Sequence, residues 1–250
     1  MNRYLKNLSR IEFVVTMACT GKCKHCSQGD HTGCTDNIDK AAAAAAVRKI
    51  AEEYNITSVM TFGGEPLLYP ETVCAIHNAA REMNIPERQL ITNGFFTSDG
   101  AKIRQVARRL KESGVNEVLL SVDAFHQESI PLSCAELFAE AVICEGVPLK
   151  VQPAWLVSPA DGNVWNRRTR ELIGCFTEKG IEVNEGNTIF PSGNALKYLS
   201  GYLEPMKESE NPYWEDPRDI RAVCFSANGD ILGSNIYEKD IVTILSEYRP

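Results

Sequence analysis

An α/β fold, a partial (β/α)6 barrel of the TIM type followed by a short C-terminal hairpin extension, is what this sequence predicts. Three observations carry the prediction. Six short β-branched or aromatic runs alternate with longer helical patterns between residues 11 and 189. Glycines stand where helices should stop, at Gly114, Gly146 and Gly180. The chemistry-bearing residues cluster just after the strand candidates, where parallel α/β folds put their functional loops. Helical crossovers between parallel strands are right-handed, and six units are too few to close an eight-stranded barrel.

In chain order, Ile11–Thr16 reads as a buried strand. Asp39 can cap a helix that runs through six alanines to Tyr54, alanine being the best helix former. Strands at Ser58–Phe62, Arg88–Thr92 and Glu117–Val122 alternate with helices at Pro70–Met83, Asp99–Ser113 and Ser133–Glu145. Val151–Val157 is the fifth strand, with Pro153 an obstacle because proline removes a ladder donor. A helix over Asn163–Lys179 and a strand over Ile181–Ile189 complete the core, residues 1–190. Residues 191–250 form an extension packed on it: a loop at Phe190–Asn194, an acidic Pro-containing surface passage at Glu204–Asp219, and a hairpin. In that hairpin Cys224–Ser226 and Ile231–Gly233 flank an Asn-Gly turn.

The chain has 250 residues, 44% hydrophobic and 24% charged, within the range of ordinary globular proteins. A net charge of −7 argues against a nucleic-acid binder, which needs a basic face. The basic groups at Arg104, Arg108, Arg109 and Lys111, and at Arg167, Arg168 and Arg170, fall in helical patterns as solvated faces. No stretch is apolar enough to span a membrane and the N-terminus lacks a signal-peptide core, which predicts a cytoplasmic protein. Nine cysteines make an odd number without a disulfide pattern. Cys74, Cys134, Cys144 and Cys175 read as small core residues, and His77 as structural.

Cys19, Cys23 and Cys26 follow the first strand at a three-then-two spacing. Thiolates are soft ligands that suit zinc or iron-sulfur clusters. Zinc would need a fourth ligand, which Cys34, His25 or His31 could supply; a cubane with three protein ligands leaves one iron open. Gly63-Gly64-Glu65-Pro66 after the second strand combines close backbone approach with a carboxylate for an amine, or is a plain turn. Thr92-Asn93-Gly94 and Ser121-Val122-Asp123 follow the third and fourth strands, and Phe125-His126 comes next with a substrate contact or proton shuttle as its candidate role.

Together these four motifs, in this order on these strands, resemble the radical S-adenosylmethionine (radical SAM) superfamily over residues 11 to 190. The resemblance implies that Cys19, Cys23 and Cys26 ligate three irons of a 4Fe-4S cluster whose fourth iron binds S-adenosylmethionine. It implies that Gly63, Gly64 and Glu65 hold the methionine amino group, that His25 lies near the adenine, and that Asn93, Ser121 and Asp123 contact the rest of the cofactor or the substrate. It further implies reductive cleavage of S-adenosylmethionine to a 5′-deoxyadenosyl radical that takes a hydrogen atom from substrate, with an external one-electron donor such as flavodoxin or ferredoxin.

The tail is similar to the start of the SPASM or twitch extensions of peptide-modifying relatives, which favours a peptide substrate, epimerised or cross-linked, over a small metabolite. It departs from them at Ser234, where a further cysteine would stand, so no auxiliary cluster is expected. In relatives that epimerise a peptide residue a C-terminal cysteine returns a hydrogen atom to the substrate radical, and the resemblance implies that role for Cys224 as the candidate catalytic residue.

Overall fold

The computed structural model describes residues 2–203 and 214–250. Of the acidic passage predicted at 204–219, residues 204–213 lie outside the described residues.

The strands of the core are β1 (Arg10–Val14), β2 (Ser58–Phe62), β3 (Glu87–Thr92), β4 (Glu117–Ser121), β5 (Leu149–Gln152) and β7 (Glu182–Val183). Helices α1 (Lys40–Glu53), α2 (Pro70–Glu82), α3 (Gly100–Ser113), α4 (Leu132–Cys144) and α5 (Val164–Thr177) connect them. Asp39 and Asp99 cap α1 and α3 by accepting from the first backbone N–H groups, and Gly114 ends α3 at φ 92°, a left-handed conformation that suits glycine. Pro153 does break the fifth strand: β6 (Ala154–Trp155) leaves the main sheet to pair with β8 (Asn187–Thr188). The predicted strand at Ile181–Ile189 is split in the same way between β7 and β8.

The tail carries the expected short hairpin, but between other strands than those predicted. β9 (Ala222–Phe225) does not pair with the residues after the Asn-Gly turn. It joins the sheet parallel to β1, giving the order β7-β5-β4-β3-β2-β1-β9. The turn itself forms, with Gly229 N donating to Ser226 O, but the hairpin is the short β10 (Asp230–Ile231) and β11 (Ser234–Asn235) beyond it. The physical reason is apolar: Val223 and Phe225 alternate toward the helix layer, where Phe225 stacks on Phe13 at 4.6 Å and 9°. Full burial of a phenylalanine stabilises by roughly 1.5–3 kcal/mol, more than an exposed two-strand ribbon can offer. Helix α6 (Gly193–Tyr198) starts where a loop was expected, and α7 (Ile241–Glu247) packs Ile241, Ile244 and Leu245 into the same core. Asn2 Nδ2 donates to Leu245 O at 2.9 Å and Tyr248 O at 2.8 Å, tying the first residues to the last helix.

The sheet has two unlike faces. Ile11, Phe13, Val59, Leu90, Val118, Leu120 and Val151 point to the helices and are fully buried. The register places Cys224, Glu12, Met60, Gln89 and Glu117 in one row across the other face. There Arg10 pairs with Glu12 at 2.6 Å, Gln89 Nε2 donates to Glu117 at 2.5 Å, and Lys150 lies 3.4 Å from Glu117 and 3.3 Å from Glu182. Three of the four cysteines assigned to the core are not buried: Cys74 is, whereas Cys134 and Cys175 are half-buried and Cys144 is exposed. They sit on helices whose apolar stripe is already filled by Phe138, Leu172 and Phe176. The basic helix faces are exposed as expected apart from Arg109, which is half-buried and paired to Glu71; Arg108 pairs with Glu145.

Candidate active site

The loops after β1 and β2 are fastened backbone to backbone. Gly64 N donates to Thr16 O and Glu65 N to Ala18 O, both at 2.8 Å. This close approach explains the glycine pair. Gly63 has φ 141°, and a Cβ there would lie 2.5 Å from Thr16 O; one on Gly64 would lie 2.2 Å from Ala18 O. Glu65 is fully buried and accepts from Leu67 N at 2.9 Å, Thr92 Oγ1 at 2.7 Å and Asn93 N at 2.9 Å, joining the ends of β2 and β3. Burial pushes its carboxyl up to about 7, against those three hydrogen bonds.

The cysteine loop is held from several sides. Thr20 Oγ1 donates to Phe95 O at 2.6 Å, and Lys22 N to Ser129 Oγ at 2.9 Å. Asn93 Nδ2 is 3.3 Å from Thr20 Oγ1 and 3.8 Å from Cys19 Sγ. From the tail, Asn194 N donates to Cys26 O at 2.9 Å, while its Nδ2 reaches Cys23 O at 3.2 Å and Gly29 O at 3.1 Å. A Cβ on Gly193, at φ 51°, would stand 2.4 Å from Ser27 O.

The three thiols differ. Cys23 is 8% exposed, and burial, then Asp123, push it far up; burial pushes Cys19 up to about 11. Burial acts on Cys26 too, but His31 outweighs it and brings Cys26 below the usual thiol range. His31 Nε2 lies 3.1 Å from Cys26 Sγ, and Nδ1 donates to Met17 O at 2.6 Å. The donor set fits a cluster better than one zinc ion. Among the described residues, the one group of three ligands within 4.8 Å of each other is Cys23, His25 and His126, not the three cysteines. A tetrahedral zinc ion would hold its sulfurs about 3.8 Å apart. A four-iron cluster takes soft thiolates around a wider body, and Cys19 and Cys23 open around Gly21, whose Cβ position is 3.6 and 3.2 Å from their sulfurs.

Asp123 is fully buried and accepts from Phe125 N and His126 N, each at 2.9 Å, from Ala154 N at 3.2 Å, and from His126 Nδ1 at 2.7 Å. Burial raises it, but the charges of His126 and His25 and the His126 hydrogen bond hold it below the usual carboxylate range. His25 packs 5.0 Å from the Phe125 ring and 4.8 Å from His126. The structure thus gathers Cys19, Cys23, Cys26, His25, Gly63, Gly64, Glu65, Asn93 and Asp123 around one loop. Ser121 ends β4 opposite Gln152, and Cys224 lies on β9, in the row of Glu12. Sequence reasoning offers His31 only as a fourth zinc ligand and Thr92 only as part of the turn motif, and assigns Asn194 no role at the site. The first sits in a Gly- and Asp-rich passage and the third acts from about 170 residues away.

Residues 13–142, more than half of the chain, match the family described as the Radical SAM superfamily. The chain belongs to the radical SAM superfamily. As a radical SAM enzyme it carries the cofactor set of that superfamily, a 4Fe-4S cluster and S-adenosylmethionine. Its sequence is 26% identical over 219 residues to a "Probable GTP 3′,8-cyclase" of Saccharolobus islandicus, covering 82% of this chain and 67% of that protein. A protein of the same name from Methanocaldococcus jannaschii is 24% identical over 127 residues, 51% of this chain and 40% of that one. In fold the chain is similar to Streptococcus suis SuiB bound to S-adenosylmethionine, with TM-score 0.58 and 15% identity over 97% of this chain and 66% of that one. It is similar also to anSMEcpe with bound AdoMet and Cp18Cys peptide, with TM-score 0.59 and 16% identity over 93% and 75%. The chain therefore spans about two thirds to three quarters of these proteins, apart from the shorter Methanocaldococcus match. Among the described residues no helix is long and apolar enough to cross a membrane.

Proposed function

We propose that this radical SAM enzyme acts on a peptide, removing a hydrogen atom from one residue and returning one from Cys224. The observation that carries the proposal is the place of Cys224: exposed on the polar face of the sheet, in register with Glu12. Although solvent reaches it, the protein packed around the thiol and then the Glu12 carboxylate push it up to about 12, so it keeps its S–H at neutral pH. A protonated thiol is what hydrogen-atom return requires.

In this proposal Cys19, Cys23 and Cys26 hold three irons, and Gly63, Gly64 and Glu65 offer the strand-end surface for the methionine amino group. His25 stands beside the adenine, and Asn93, Ser121 and Asp123 supply the remaining polar contacts. When bound, the cluster and S-adenosylmethionine would supply a 5′-deoxyadenosyl radical, given one electron from a donor such as flavodoxin or ferredoxin. Cys224 then gives its hydrogen to the carbon radical, and the sulfur radical left behind is reset by one electron from that donor and one proton from solvent. Burial of Asp123 and Glu65 keeps water from the strand ends.

A nucleotide substrate is the second reading, favoured by the sequence likeness to probable GTP 3′,8-cyclases. The polar face speaks for the peptide. Its cations Arg10 and Lys150 are already paired, with Glu12 and with Glu117 and Glu182, and a triphosphate needs unengaged cations. The test is turnover in deuterated water with peptides encoded beside the gene, and separately with GTP. Deuterium entering a peptide residue, and lost in Cys224→Ala, is expected; consumption of GTP with untouched peptides would contradict the proposal.

A further inference from the structure

Cys23, His25 and His126 bring their ligand atoms within 4.8 Å of one another, although they come from two separate loops. His25 Nδ1 is buried and has no hydrogen-bond partner. An orphaned buried nitrogen is costly unless something binds it. His126 is oriented as a metal-binding imidazole usually is. Its Nδ1 is engaged by the buried carboxylate of Asp123 at 2.7 Å, which leaves Nε2 as its unengaged nitrogen. Asp123 is itself fixed by Phe125 N, His126 N and Ala154 N, so the imidazole is held by a rigid partner.

We propose that Cys23, His25 and His126 form a mononuclear site for a borderline-soft divalent cation, zinc by its chemistry, in the protein without its cluster. One thiolate and two imidazoles with a carboxylate behind one of them is a zinc donor set, and three protein ligands leave a fourth position for water. Zinc draws sulfur to about 2.3 Å and nitrogen to about 2.0–2.1 Å, so side-chain rotation by about an ångström closes the group around an ion. Cys23 is shared with the cluster loop. The ion and the cluster therefore exclude each other, and zinc occupancy guards or blocks the loop before cluster assembly.

The experiment uses the full chain, stripped of metal with chelator under anaerobic conditions and titrated with Co²⁺ and then Zn²⁺. One tightly bound ion per chain is expected, with a thiolate-to-cobalt charge-transfer band displaced by zinc. Cys23→Ala and His126→Ala should lose it, while Cys19→Ala and Cys26→Ala, which cannot hold a cluster, should keep it. Asp123→Asn should weaken zinc binding by about 10–100-fold, an effect on affinity that does not depend on turnover. His126→Gln, which keeps a polar group of similar size, guards against a misfolded His126→Ala and should also lose the ion. One equivalent of zinc should suppress iron-sulfur reconstitution of the wild type. Absence of a bound ion in the wild type would overturn the proposal. So would a site lost in Cys19→Ala or Cys26→Ala, or one unaffected by both substitutions at His126.

Discussion

The cysteine loop and strand β9 each carry thiols to the working side of the sheet, and their surroundings are opposite. Cys19, Cys23 and Cys26 sit in irregular backbone held by contacts from the β2, β3 and β4 ends and from Asn194. Cys224 sits in a regular strand whose ladder and neighbours Val223 and Phe225 hold it whatever its side chain is. The loop is thus specified by particular residues, the strand by its alternation. Substitutions in the loop should disturb structure and chemistry together, and a change at Cys224 should disturb chemistry alone.

The largest effect expected is at the loop thiols: alanine at Cys19, Cys23 or Cys26 should bring iron content after reconstitution, and 5′-deoxyadenosine formation, to background. Gly64→Ala comes next. Its Cβ would meet backbone oxygen at 2.2 Å, with no flexible side chain to yield, so a loss of about 1–3 kcal/mol should appear as a Tm lowered by several degrees. Asn194→Ala removes two donated hydrogen bonds, to Cys23 O and Gly29 O, for about 1–2 kcal/mol, and should slow cluster assembly measured by absorbance.

The helix-packed side offers a control through His77, which is buried, bonded to Thr61 Oγ1 at 2.9 Å, and lowered by burial to about 3. Because its folded value lies below the ordinary 6.5, its contribution is complete above pH 6.5 and is lost as pH falls toward 3. By pH 5.5 the loss is about 1.4 kcal/mol, and denaturation curves of His77→Gln should show a shallower acid limb there. The smallest effect should be at Cys224→Ala, within about 0.5 kcal/mol of wild-type stability by the same denaturation.

The difference between the two regions also explains what could be seen in the sequence. Alternation of short apolar strands and capped helices is local, so Ser58–Phe62, the caps Asp39 and Asp99, and the stop at Gly114 appear where the residues place them. The cysteine spacing and Gly63-Gly64-Glu65 are local too, but the reason for the glycines is not: it is an approach to Thr16 and Ala18 some 47 residues earlier in the chain. β9 was misplaced because a near Asn-Gly turn competes in the sequence with a distant partner, β1, and only burial of Phe225 against Phe13 decides between them. Asn194 beneath the loop depends on tertiary folding that no spacing encodes, whereas His31 is near Cys26 in sequence and reads there as a zinc ligand, not as a hydrogen-bond partner of the thiol.

The proposed division between a loop that starts the radical chemistry and a strand thiol that ends it can be measured without knowing the substrate. Wild type, Cys23→Ala and Cys224→Ala, reconstituted anaerobically and reduced with S-adenosylmethionine, are compared for 5′-deoxyadenosine formed per chain. The account predicts equal yields for wild type and Cys224→Ala and none for Cys23→Ala. Loss of 5′-deoxyadenosine in Cys224→Ala, or its persistence in Cys23→Ala, would contradict it.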